Sequence, residues 1–383
     1  MAKAESNRVG LYFHKETTWA ETPATPNMIE LPYTGEALQH RKDTVSSATI
    51  RADRNTDTLA EVGAGGEGDV NFELRNTDYL PFIEAALGNV FVVGSETGAG
   101  SAGDFQFTGQ TIVGPSGWTD DFEIGQNVKI AGSASNLNDG IRKITNISAT
   151  VMTLDGSAFT SQDSSSAVIT GKMARNGTTK MSFLLEKRFL DIDEYQYFKG
   201  MRVGQMRMNV TSKQVITGAF TFMGSEGIPS TSSIGHATST AKSSDQIINA
   251  TTNVGTIMEG GSALTTGIRS IDFTVNNNLR ALDGIGSRGP LDINQGSMMI
   301  DGTIEAYFEN LTLLNKVYNH TASSFSMRLT DASSKVMIIT FPRIYYAEGN
   351  PPASGINTDV IVPMRFQAIY DPTTACQIQV DIL

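Results

Sequence analysis

Cysteine is almost missing from this chain, with Cys376 its single example. No disulfide can close within the chain and no cysteine zinc site can form. Histidine is sparse as well: His14, His40, His236 and His320 are scattered, and no pair has the helical spacing of a metal site. There is no P-loop and no HExxH motif, and tryptophan is confined to Trp19 and Trp118. No apolar run is long enough to cross a bilayer. The opening MAKAESNR lacks the apolar core of a signal peptide. These absences predict a chain that folds and assembles in a reducing cytoplasm, without membrane or cofactor. Positive charge is also in deficit, for the formal net charge is -11. An acidic surface repels phosphate and should not grip nucleic acid, although DNA can slide past it without sticking.

What is present points to a folded, mainly β protein. The chain has 383 residues, 39% hydrophobic and 18% charged, enough for two or three domains. Its 37 glycines, with Thr, Ser and Asn, punctuate short apolar stretches as turns do. VGLYF at 9–13 reads as a strand, and Pro23, Pro26 and Pro32 mark an extended arm. Residues 34–66 are polar and Gly-rich, and only Thr44–Ile50 reads as a strand there. In GDVNFELRN, Val70, Phe72 and Leu74 alternate with polar residues. Thr77 or Asp78 is placed to cap a short helix with Pro81 in its first turn and Gly88 at its stop.

The texture changes after residue 96. ETGAGSAGDFQF (96–107) is small and flexible in composition. TIVG, VKIAG, IRKITNI, TVMTLDG and AVITG then follow as short β segments. They predict a small β module at 96–172 inserted into a first domain made of 1–95 and 173–224. Residues 225–383 form a second domain behind a flexible leader.

The final third repeats the first. DVNFELRNTDYLPFIEAAL (69–87) lies without gaps against DGTIEAYFENLTLLNKVYN (301–319), where Leu80 faces Thr312. Identity is weak, and the shared feature is order: loop, alternating strand, short helix. Both halves continue with a strand beginning Ser-Phe, Ser182-Phe183 and Ser324-Phe325, and end on aromatic-rich AFTFMG or RFQAIYD. Two copies of one domain are expected, and copies set in a ring can join sheets so that edges vanish into a closed barrel.

Several pieces taken together resemble the tail tube proteins of siphophages. They include KETTWAETPATPN, TGEALQHRKDTVSSATIRADRN, FLLEKRFLDIDEYQYFKGMRVGQM, NNNLRALDGIG and ITFPRIYY. The resemblance covers most of the chain outside 96–172 and 225–250, and rests on order rather than on one motif. It implies β-sandwich or half-barrel domains with one flanking helix, joined into a continuous inner barrel. It implies rings that stack, a long loop reaching the next ring, and DNA transiting the lumen. The implied partners are further copies, a tape measure protein, and a tail terminator or distal tail protein. The candidate stacking loop is 36–66. Arg41, Arg51, Asp53, Arg54 and Asp57 are its candidate contact residues, with mixed signs suited to ring-to-ring salt bridges. With duplication, three chains supply six domains per ring, and the module sits on the tube exterior.

Chemistry is weakly signalled. Gly63, Gly65 and Gly68 match G-x-G-x-x-G by letter, but an alternating strand follows where a dinucleotide site needs a helix. Asp191, Asp193 and Glu194, like Asp120, Asp121 and Glu123, read as solvated turns before they read as cation sites. The methionines Met201, Met206, Met208, Met298 and Met299 read as core filling. The competing readings are another phage structural component, such as a head-tail connector or distal tail adaptor, and a carbohydrate-binding β-protein. An enzyme ranks last.

Overall fold

The computed structural model describes residues 3–98, 105–134, 136–235, 239–353 and 355–383; His236 lies outside them. The mainly β class is observed, with two α-helices among the described residues. The chain divides into two compact units. Unit 1 comprises Met1–Gly88, Thr178–Ile248 and Ser270–Gly302, and unit 2 the remaining segments Asn89–Gly177, Asn249–Arg269 and Thr303–Leu383.

The principal elements, numbered in chain order, fall into two series. The first is β1 (Val9–Lys15), β2 (Gln39–Ser46), β3 (Leu59–Glu73), α1 (Leu80–Leu87), β4 (Phe183–Phe189), β5 (Glu194–Thr211) and β6 (Thr217–Gly224). The second is β7 (Val254–Glu259), β8 (Ile268–Asn276), β9 (Met299–Tyr307), α2 (Thr312–Tyr318), β10 (Ser323–Thr330), β11 (Val336–Glu348) and β12 (Ile361–Ala368). A last strand, β13 (Gln379–Ile382), closes the chain. In the first series the ladder runs β1–β4–β5–β6–β3–β2, all antiparallel. In the second, β7–β10–β11–β12 is antiparallel and β12 pairs β9. The same element order thus meets the same ladder partners twice. The gap-free alignment of 69–87 with 301–319 sets the helix starts, Leu80 and Thr312, opposite each other. It does the same for Gly88 (φ 66°) and His320 (φ 48°), the left-handed residues that follow the two helices.

Unit 1 is built on an aromatic core. Phe82 of α1 meets Phe13 of β1 at 4.7 Å and Phe183 of β4 at 4.6 Å between ring centroids, and Phe72 of β3 stacks on Phe220 of β6 at 4.7 Å. The alternation in GDVNFELRN buries Val70, Phe72 and Leu74 as read. Pro81 sits in the first turn of α1 and Gly88 ends it. Thr77 and Asp78, however, do not cap the helix. Asp78 accepts from the Ser243 backbone N–H at 2.8 Å and hydroxyl at 3.0 Å, and the Thr77 hydroxyl donates to Asp245. Their polar groups are spent on holding the segment 243–245, which local sequence could not anticipate.

Residues 34–66 are more ordered than their composition suggests. The strand begins at Gln39 rather than Thr44, and β2 pairs along the first half of β3 as a hairpin arm. Backbone pairing within a hairpin does not require apolar side chains, so a polar sequence conceals it. The G-x-G-x-x-G letters lie inside β3, so strand rather than a helix N-terminus follows the glycines directly.

In unit 2 the residues of the candidate module carry their own core, including Phe105, Phe107, Trp118, Phe122, Ile144, Leu154 and Ile169. The five expected β segments coincide with strands. Two further strands join them: Phe105–Gly109, whose first three residues fall in the stretch 96–107 expected to be flexible, pairs with Phe159–Ser164, and Phe105 and Phe107 alternate inward.

Candidate functional site: a polar sheet face and a protruding arm

Strands β3, β6, β5 and β8 lie side by side in unit 1, for β8 pairs β5 from Gln205↔Asn276 to Thr211↔Ser270. Period-two alternation sorts their side chains onto two faces. One face is buried: Val70, Phe220, Met206 and Val275 form one row, and Phe72, Met208 and Phe273 the next. Gly218 stands in the second row because a Cβ there would lie 2.4 Å from the Phe72 ring.

The other face is polar and open. Its rows read Glu73–Thr217–Asn209–Asp272, Asn71–Ala219–Arg207–Thr274 and Asp69–Thr221–Gln205–Asn276. These rows hold three carboxylates against one guanidinium, and Arg207 is held to Gln205 Oε1 at 3.0 Å. In unit 2 the outward side of β9 and β12 is mixed, with Met299 and Tyr307 exposed on it, and two of its charges are paired. Arg269 faces Glu305 at 3.9 Å, and Arg365 of β12 faces Glu348 of β11 at 3.7 Å. Neither face has the convergent groups of a catalytic site, and no group of three metal-ligating side chains occurs among the described residues. Asp191, Asp193, Glu194, Asp120, Asp121 and Glu123 form no such group. Glu123 instead pairs with Arg175.

The arm carries the candidate contact residues. Arg51, Asp53 and Asp57 come together at its tip, with Arg51 bonded to Asp53 at 2.7 Å and to Asp57 at 2.7 Å. The Arg51 guanidinium, followed by Asn55, holds the Asp53 carboxyl well below its usual range. Arg41 stands apart, nearer the base, between Asp43 at 3.2 Å and Glu67 at 3.4 Å. Arg54 has a left-handed backbone (φ 63°) and makes no ion pair among the described residues. Arg51 is therefore already matched inside its own loop. Two features escaped the sequence reading. Glu61 is clamped by Lys42 at 3.0 Å and by the distant Arg288 at 2.6 Å. The arm also exposes Val45, Ile50, Leu59 and Val62, of which Ile50 is 97% exposed.

A buried polar knot lies in unit 2. Asp381 of β13 is fully buried and accepts from Asn127 Nδ2 at 2.7 Å and Gln379 Nε2 at 2.9 Å. Burial raises its carboxyl to about 7 against the pull of these donors. Gln379 in turn accepts from Arg175 Nε at 3.0 Å and donates to the Gly125 carbonyl at 2.9 Å. With every inner group bonded to another protein group, the knot fastens structure and offers no reactive atom.

No described helix is long and apolar enough to cross a membrane. A family model described as phage tail tube protein matches residues 6–368. No curated protein matches the chain.

Proposed function

This chain belongs to the phage tail tube protein family, a family of structural proteins of the virion tail and not of enzymes; from that premise we propose that it assembles into stacked rings. The observation carrying the ring is the seven-element order with its ladder partners, met twice in one chain. Two tube domains per chain make three chains a ring of six domains, assembled in the host cytoplasm. The first domain takes residues 1–95 and 173–224, the second 225–383, and the module at 96–172 decorates the exterior.

The polar sheet face lines the passage. Its carboxylates repel phosphate, and its short amides and hydroxyls offer DNA no aromatic or clustered basic hold. The arm tip, with Arg51, Asp53, Arg54 and Asp57, reaches the adjoining ring, with Arg41 bracing the arm. Tape measure and terminator or distal proteins complete the tail.

Electron microscopy of the purified chain tests the assembly. Rings or tubes with mass for three chains per ring are expected; six chains per ring would remove the two-domain reading, and a persistent monomer the assembly itself.

A further inference from the structure

The stretch that begins Ser-Phe in each series differs at its third residue. Leu184 of β4 is fully buried, while its counterpart Ser326 of β10 is half-buried. In unit 2 that position opens into a cleft of about 340 Å³, within the size range of small-ligand sites. Its floor is one cross-strand row, Met258–Ser326–Thr340–Gln379, running over β7, β10, β11 and β13. Period-two alternation turns Phe325 and Phe341 of these strands into the core and leaves Ser324 and Pro342 beside the row. The module supplies further lining: Asn127 and Lys143, paired across neighbouring strands, and Asp155. Asp371, between β12 and β13, lines the cleft as well.

Hydrogen bonds fix what each lining group has to spare. One Asp155 oxygen accepts from the Lys143 backbone N–H at 2.8 Å. One Asp371 oxygen accepts from the Thr374 N–H and hydroxyl, each at 2.8 Å. Asn127 spends its Nδ2 on Asp381, and Gln379 is wholly engaged in the buried knot. Each of the two carboxylates keeps one oxygen without a partner among the described residues, and Asn127 keeps its side-chain carbonyl. Lys143 makes no ion pair among the described residues and adds a donor. The acceptors are thus oriented before a ligand arrives, because their other atoms are already tied to protein groups. They call for a ligand rich in O–H donors. The hydroxyls of Ser324, Ser326 and Thr340 both donate and accept, and suit the same partner. Two carboxylates against one ammonium disfavour an anion. Pro342 and Met258 offer apolar surface to the C–H face of a ring.

We propose that this cleft binds a neutral saccharide of one or two rings. Ring hydroxyls donate to Asp155, Asp371 and Asn127 and accept from Lys143, while one C–H face lies on Pro342 and Met258. The proposal goes beyond the tube reading and is independent of it, since all these groups belong to unit 2 of a single chain.

Isothermal titration of the full chain with glucose, galactose, N-acetylglucosamine, maltose, lactose and chitobiose tests it. At least one of these sugars should bind saturably, one molecule per chain, with a Kd in the millimolar range. Ser326→Leu, which installs the residue found at the matching place in the first series, should fill the floor and weaken that binding by about tenfold or more. Should that variant not fold, Asp155→Asn decides. Its Oδ1 can still accept from the Lys143 N–H, while the spare acceptor becomes a donor, and the same loss is expected. Binding unchanged in the folded variant would overturn the proposal, as would no binding by any of these sugars. Calcium chloride binding in their place, and lost in Asp155→Asn, would reassign the cleft to a cation and overturn it too.

Discussion

The helices α1 and α2 begin at matching positions and pack on matching strands, but they serve their domains differently. Helix α1 buries Phe82, Ile83, Ala85, Ala86 and Leu87, while α2 buries only Leu314. The ion pairs that tie each helix to its first strand are inverted in sign. Lys15, opposite Phe183, reaches Glu84 at 3.5 Å; Glu259, opposite Phe325, reaches Lys316 at 2.6 Å. Glu84 and Lys316 are both the fifth residue of their helix. One scaffold thus accepts either polarity at this position, because what it requires is opposite charge across the pair. The scaffold also tolerates a shallow helix, one that buries a single side chain among its described residues.

The comparison can be broken most directly in the cores. Phe82→Ala should cost about 3–5 kcal/mol, since four aromatic rings surround the cavity it leaves. Leu314→Ala should cost about 2 kcal/mol, at the low end of its class. Denaturant unfolding of the unassembled chain reads both, and equal costs would erase the distinction between the helices.

Buried acids give the next contrast. In unit 1, the fully buried Glu186 sits against Arg188 at 2.7 Å, whereas the direct partners of Asp381 in unit 2 are amides. The unfolded carboxyl of Asp381 titrates near ~3.9, and the folded one at about 7. Between those values the folded chain holds a proton that the unfolded chain has released. The Asp381 contribution therefore falls as pH rises through this window and is level above it, by up to about 4 kcal/mol in all. Asp381→Asn should flatten that fall in melting temperature against pH. An unchanged slope would show that the carboxyl is not the titrating group.

The inverted ion pairs should differ in weight. Lys316→Ala strands the buried Glu259 and should cost about 3 kcal/mol. Lys15→Ala breaks a more exposed pair and should cost less than about 1 kcal/mol. Thermal melts of the two variants compare them, and a Lys15 effect as large as that of Lys316 would contradict the burial argument.

The smallest effect on the fold belongs to the arm tip. Neutralising Arg51 and Arg54 together should leave the melting temperature of the unassembled chain essentially unchanged, because both are exposed. It should nevertheless shorten tubes under the microscope. Wild-type tube lengths in this double variant would remove the tip from ring stacking.

Much of the fold was legible where burial and periodicity coincide. Val70, Phe72 and Leu74 alternate inward because one side of their strand must meet a core. Pro81 and Gly88 act through their own backbone geometry, so the limits of α1 needed no distant partner. Thr77 and Asp78 were misread because the segment 243–245 recruits them from far along the chain. The arm was misread because its strands satisfy their backbones on each other and bury little. In the candidate site, the sequence grouped Arg51, Asp53 and Asp57 by proximity, and the structure joins them. It had no means of bringing Arg288 to Glu61.

By itself, then, the sequence determined the mainly β class, the helix limits, the twofold order of elements and the poverty of catalytic groups. All of these follow from local periodicity, turn chemistry and composition. Only the tertiary structure decided that β8, written as part of the second series, completes the sheet of the first, and that three carboxylates align on one open face. Strand pairing is a long-range choice made by edges and registers. A sequence read along its length shows which edges exist, and the folded chain shows which of them are taken.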